Sequence, residues 1–274
     1  MTLAIAGVRK FRTRSATIVS LIIAVILVAL EFVLIGVSYR SASATSGLDR
    51  PTITWFLTFP GSFDAVMSLA YAFLGIIGLI YVATASGSEW SWGTLKVAIA
   101  RGQSRWKYTV STFASLAIIM LIGLLITYAA GLVAAVIGAS VAGVPVGNRF
   151  DAAVLARVFV ELARCWIALV SLTSLGYAVA MVAKSQMAGI GTVIGYFIAS
   201  IIGPALLPDF VKEIFKYLPF SISGDAIGLQ GPPSSGPATS TAIEPNAALL
   251  ITIAWLVGCL LVASLSVERT EITG

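Results

Sequence analysis

Six long, predominantly apolar stretches run through this chain of 274 residues: Ala16 to Val37, Ala65 to Ala85, Tyr108 to about Ile137, Cys165 to Ala183, Met187 to Leu207 and Ala247 to Leu265. Each approaches or exceeds the ~20 residues that carry a helix across ~30 Å of hydrocarbon at 1.5 Å per residue. A stretch that crosses lipid must satisfy its own backbone hydrogen bonds, so it crosses as a helix. The expected fold is all-α: a polytopic membrane protein with six transmembrane helices. Charged residues make up only 11% of the chain, against roughly 25% in a soluble domain. No polar stretch is long enough for a second domain, and residues 1–274 read as a single transmembrane domain.

The polar segments set the expected orientation. The start of the chain is basic, with Arg9, Lys10, Arg12 and Arg14. Apolar residues are interspersed among them, which predicts an interface helix over 1–15, lying on the membrane surface. A cleaved signal peptide would also begin this way, with Ala42-Ser43-Ala44 as its processing site. The length of the first run and the presence of Glu31 within it favour a retained span. Lys96, Arg101, Arg105 and Lys107 follow the second run, and Lys184 and Arg269 fall on that same side. Asp49, Asp64, Asp151, Asp209, Glu213, Asp225 and Glu244 fall on the other. Lys and Arg near helix ends are retained in the cytoplasm. This places 86–107 and both termini there, 208–246 outside, and the protein in the cell membrane as a multi-pass component. The net charge of +5 is explained by this retention and does not call for nucleic acid.

Several functions lose ground on residue inventory. The chain has no His, which removes the commonest general base and transition-metal ligand. With only five Met, a soft-metal route is also disfavoured. There is no nucleophile motif and no cluster of membrane carboxylates in the apolar runs, which argues against an enzyme. Cys165 and Cys259 lie in apolar runs and read as packing residues.

The most informative stretch is Glu89-Trp90-Ser91-Trp92-Gly93-Thr94-Leu95-Lys96, continuing to Arg101-Gly102-Gln103-Ser104-Arg105. Leu95, Ala98 and Ile99 share one helical face. Thr94 can cap a helix that Gly93 lets begin sharply, and Arg101 and Arg105 suit a negative helix end. Trp90, Trp92 and Trp106 would hold this short amphipathic helix at the interface.

Glu, three residues, Gly-Thr-Leu, and Ser-Arg about ten residues on resembles the cytoplasmic loop of type-2 ATP-binding-cassette (ABC) permeases. The resemblance extends over nearly the full length, but only Glu89 to Arg105 is motif-like, and Gly102 stands where many members have Pro. It implies six membrane helices per subunit, an N-terminal interface helix, a cytoplasmic coupling helix, and membrane-dipping helices before the last span, where this chain has Pro208 to Asp225. It also implies a separate cytoplasmic ABC ATPase subunit and a second permease copy or paralogue. The chain has no G-x-x-x-x-G-K-[S/T] loop, so ATP and Mg would belong to the partner, with no cofactor here. Glu89, Gly93, Thr94, Leu95, Ile99, Arg101 and Arg105 would form the ATPase-coupling contact. The apolar face would sit in a groove of the ATPase, with Glu89 and Arg101 supplying polar contacts. The implied function is export of an amphipathic or hydrophobic compound.

Two further features bear on mechanism. Glu31 is a carboxylate inside an apolar run, roughly 9 Å from its outer end. Burial of the charged form costs about 2.5–3.5 kcal/mol on insertion scales, so it should line a pathway, take up protons, or bond a neighbouring hydroxyl. A proton-coupled secondary transporter built on Glu31 is the alternative function, weakened by the lack of internal repeats and of several buried charges. Gly191, Gly195, Ala199 and Gly203 recur every four residues, and Gly123, Gly131, Ala135 and Ala139 form a similar ridge. Such ridges let another helix approach closely. The resemblance assigns the first of them to a dimer interface and pathway wall.

Overall fold

The computed structural model describes residues 2–41, 50–147, 151–206, 213–229 and 243–270. Its elements are α1 (Thr2–Arg12), α2 (Ser15–Ser41), α3 (Arg50–Leu57), α4 (Gly61–Ser91), α5 (Thr94–Ala100), α6 (Arg105–Ala142), α7 (Ala152–Ala183), α8 (Gln186–Leu206), α9 (Pro219–Ile227) and α10 (Pro245–Arg269). Five of these, α2, α4, α6, α7 and α10, are long and apolar enough to cross a membrane. The protein is thus an all-helical, multi-pass membrane protein. The fifth apolar run forms the 21-residue helix α8. The processing site at 42–44, the segments 208–212 and 230–242, and the surroundings of Gly203 lie outside the described residues.

The spanning helices outrun the hydropathy that predicts them. α7 begins at Ala152, thirteen positions before the apolar run starts at Cys165. Its first turns hold Arg157, Glu161 and Arg164, which a hydropathy reading assigns to a loop. They remain helical because they have partners: Arg157 meets Asp64 of α4 at 3.1 Å, and Arg164 donates to Asn246 of α10 at 2.7 Å. α3 is a short helix that hydropathy did not single out.

Close packing follows the small residues of α6. Gly131 lies under Val66 of α4 and Val28 of α2, and Ala135 and Ala139 are fully buried. Gly36 of α2 and Gly138 of α6 bring the two backbones together. A Cβ on Gly36 would overlap the Gly138 carbonyl, and one on Gly138 would stand 2.5 Å from the Phe32 oxygen. The part of the third-run ridge from Gly131 to Ala139 therefore serves packing within the chain, while a Cβ on Gly123 would meet only the Leu21 side chain within 4 Å. The ridge on the fifth run does not pack in this way. Gly191, Gly195 and Ala199 are exposed, and a Cβ on Gly191 or Gly195 would meet nothing within 4 Å. The face that buries α8 is instead marked by Val193 and by Gly189, which touches Ala180 of α7 and Ala83 of α4.

α7 forms the middle of the bundle and is held by polar contacts as well as by apolar packing. Trp166 donates to the Ala117 carbonyl of α6, Ser171 to the Thr252 carbonyl of α10, and Tyr177 to the Thr109 carbonyl of α6, at 2.7–2.9 Å. In lipid, where apolar surface gains little by helix contact, such bonds and close backbone approach hold helices together. α9 packs between α7 and α10 through Ile222 and Ala226. Cys165 and Cys259 are free and buried in the core clusters.

Candidate functional site

One end of the bundle collects α1, the last turn of α4, α5, the first turns of α6, the α7–α8 turn and the end of α10. Chain geometry produces α5 between two long spans. α4 stops at Ser91 as Trp92 and Gly93 turn the chain, and Gly93 adopts φ +66°, a left-handed conformation that costs glycine nothing. Thr94 is then the first helical residue rather than a cap. Its hydroxyl donates back to the Glu89 carboxylate at 2.5 Å. Gly102, at φ +84°, turns the chain out of α5 toward α6.

Glu89 is the centre of this end. It is 1% exposed, with four groups converging on its carboxylate. Lys10 of α1 donates to Oε1 at 2.6 Å, Arg14 lies 3.6 Å from the same oxygen, and Thr94 and Tyr108 donate to Oε2. Arg14 also donates to Ser88 and stacks on the Phe11 and Trp92 rings, both 4.9 Å from its guanidinium carbon. Lys184, at φ +54° in the α7–α8 turn, stands over the Trp90 ring. A carboxylate so buried and engaged has no open side for a partner. Within this chain Glu89 is a joint, fastening α1 to α4, α5 and α6.

The amphipathic face of α5 also turns into the chain. Leu95 is fully buried, packed in the cluster with Phe11, Val82 and Leu116, and Ile99 lies against that cluster. The face that the periodicity singles out thus seats in this chain's own core. The outward face carries Lys96, Val97, Ala100 and Arg101, with Trp92 beside it; Val97 is 50% and Trp92 67% exposed. Arg105 does serve a negative helix end, but of another helix: its guanidinium donates to the carbonyls of Val267, Glu268 and Thr270 at the end of α10, at 2.7–3.3 Å.

The opposite end holds a second polar group that the sequence reading missed. Asp64 of α4, Arg157 and Glu161 of α7 and Tyr128 of α6 come together, with Asp64 and Glu161 buried. Arg157 stands 3.1 Å from Asp64 and 3.7 Å from Glu161. The signal available was Asp64 at the edge of the second apolar run and Glu161 one α-turn after Arg157. Reading 149–164 as a loop hid it. The structure thereby supplies the several buried charges that the sequence lacked within its apolar runs. Glu31 is half-buried next to the packed Phe32, and no ion pair or hydrogen bond to it occurs among the described residues. On α9, burial raises the Asp225 carboxyl above the ordinary range, opposed by a hydrogen bond from the Ile243 amide.

Among the described residues no group of His, Cys, Asp or Glu is placed to hold a metal ion. A comparison with curated proteins finds no match. A family model matches residues 54–273, from within α3 through α10, which covers most of the chain and every helix that builds the two polar ends except α1. The chain belongs to the DUF2705 family, a family of proteins of unknown function.

Proposed function

We propose that this protein is the permease subunit of an ABC transporter, exporting an amphipathic or hydrophobic compound with ATP hydrolysed by a partner subunit. In this reading α8 is the sixth span and the end that carries Glu89 is cytoplasmic. α5 is the coupling helix, α9 belongs to the membrane-dipping segment, and a second permease copy or paralogue lies against the exposed small residues of α8. One observation carries the reading. A separate short helix stands between two spans at the basic end, locked to both and to α1, with a solvent-facing side left over. A rigid helix held at both ends transmits a displacement where a loop would absorb it.

The docking face in this proposal is Trp92, Lys96, Val97 and Arg101, and this choice is testable. Val97→Asp places a charge on the outward face, so the chain inserts and folds normally. Loss of an apolar anchor costs about 2 kcal/mol, or roughly thirtyfold in affinity for the ATPase. Leu95→Asp acts differently, because it buries a charge in the chain's own core and lowers folded yield. If Val97→Asp co-purifies with the ATPase at wild-type levels and keeps coupled hydrolysis, the coupling assignment fails.

The orientation has its own check. A cysteine at Ser104, exposed between α5 and α6, should stay unlabelled by impermeant thiol reagents on intact cells. A cysteine at Ala152, exposed at the far end, should react. The reverse pattern inverts the topology.

The Asp64–Arg157–Glu161 group favours a second reading, proton-coupled transport, since buried charges in spans commonly mark proton routes. Transport that continues without any ATPase partner, and in Val97→Asp, would support that reading over the first.

A further inference from the structure

A cavity of about 290 Å³ opens between α2, α4 and α6, near the end of α1. Its walls include Leu21 of α2, Ile77 of α4, and Met120 and Gly123 of α6. Two of the three hydroxyls that border it are occupied, since Thr17 and Tyr81 bond each other at 2.8 Å and Thr17 also reaches the Phe11 carbonyl; Ser20 is the third. The walls are otherwise almost wholly apolar, and the interior suits a hydrocarbon chain better than a polar guest. Ile18 and Ile22 beside it, and Ile122 and Ile126 across from it, are half exposed on the surface that would face lipid. A bilayer tail can enter sideways.

The rim supplies the second half of a ligand's chemistry. Of the basic residues that follow Val8, Lys10 and Arg14 are turned inward to Glu89. Arg12 is exposed, lines the cavity, and makes no ion pair among the described residues. A cation at the mouth of an apolar cleft, on a helix that lies at the bundle end, matches an anionic headgroup above an acyl tail. We infer that this cleft is a binding site for an anionic phospholipid, with one acyl chain between α2, α4 and α6 and its phosphate at Arg12. The site is independent of the transport reading and of the polar group at the far end.

Gly123 makes the test clean. A Cβ there would meet only the Leu21 Cδ1 at 4.0 Å, so Gly123→Leu fills the cleft without striking backbone and improves helix propensity. The full-length chain, purified in detergent, is titrated with phosphatidylglycerol and with phosphatidylcholine of the same acyl chains, and bound lipid is counted by native mass spectrometry. The wild type should retain phosphatidylglycerol about fivefold more tightly than phosphatidylcholine, the expected effect of one basic residue near the surface. Arg12→Gln, on an exposed side chain, should abolish that preference and leave phosphatidylcholine retention unchanged. Gly123→Leu should weaken both lipids by about tenfold, through displaced methylenes. Absence of a headgroup preference in the wild type, a preference that survives Arg12→Gln, or full retention by Gly123→Leu would each overturn the assignment.

Discussion

Replacing Glu89 with Leu lowers the stability of the folded chain by about 3 kcal/mol and frees α5. The substitution removes the anion that Lys10 and Arg14 share, and breaking a buried pair by deleting one partner costs about 3–5 kcal/mol. Both cations are partly exposed and recover some hydration, which puts the effect at the lower end of that range. Thr94 and Tyr108 lose their acceptor as well. For a chain of this size the shift in apparent unfolding temperature is on the order of 5–10 °C. The local consequence is more specific. Trypsin cleavage after Lys96 and Arg101 should accelerate well before global unfolding, because Thr94 no longer ties the start of α5 to α4. Glu89→Gln keeps an oxygen for Thr94 and Tyr108 and should lose about half as much. Equal protease resistance in wild type and Glu89→Leu would show that the apolar seat of Leu95 holds α5 unaided.

The second large effect belongs to the far end. Arg157→Leu leaves Glu161 and Asp64 close together without the guanidinium between them, at a cost of about 3 kcal/mol or more. The coupling can be isolated. Glu161→Gln alone removes one carboxylate and should be mild, since Asp64 keeps its 3.1 Å contact with Arg157. Placed on Arg157→Leu, it should restore at least about 1 kcal/mol, giving a non-additive cycle. Strict additivity in thermal unfolding would mean that Arg157 answers Asp64 alone and that the 3.7 Å contact with Glu161 contributes nothing.

What could be read from the sequence, and what could not, divides along a physical line. Spanning helices announce themselves by length and hydropathy, and α2, α4, α6, α7 and α10 lie where the apolar runs are. Their ends do not, because pairing decides whether a charge stays helical. Arg157 has partners in Asp64 and Glu161, so α7 starts more than three turns earlier than its apolar run. Hydropathy likewise drew notice to Glu31, which lies within a run, and away from Glu161, which lies outside one yet is more deeply buried. Periodicity found that Leu95, Ala98 and Ile99 share a face of α5. It carries no information on whether that face meets another subunit or the chain's own α1 and α6, and the structure seats Leu95 at home. The small residues of α6 and α8 look alike in sequence. Among the described residues, Gly131 and Gly138 of α6 have Val28, Phe32 and Gly36 of α2 opposite them, and Gly191 and Gly195 of α8 have no helix against them.

Asp64 and Glu89 stand on the same helix. At 1.5 Å per residue they are about 38 Å apart, one ion-paired to α7 and the other to α1. α4 is therefore a rod clamped at both tips by charge and packed along its length by neighbouring side chains. Such a rod transmits tilt with little loss. While both clamps hold, a rotation of α4 that moves the Glu89 tip carries α1 with it and swings the Asp64 tip against α7. The two faces of the bundle are mechanically one lever, and a change in geometry at either is registered at the other.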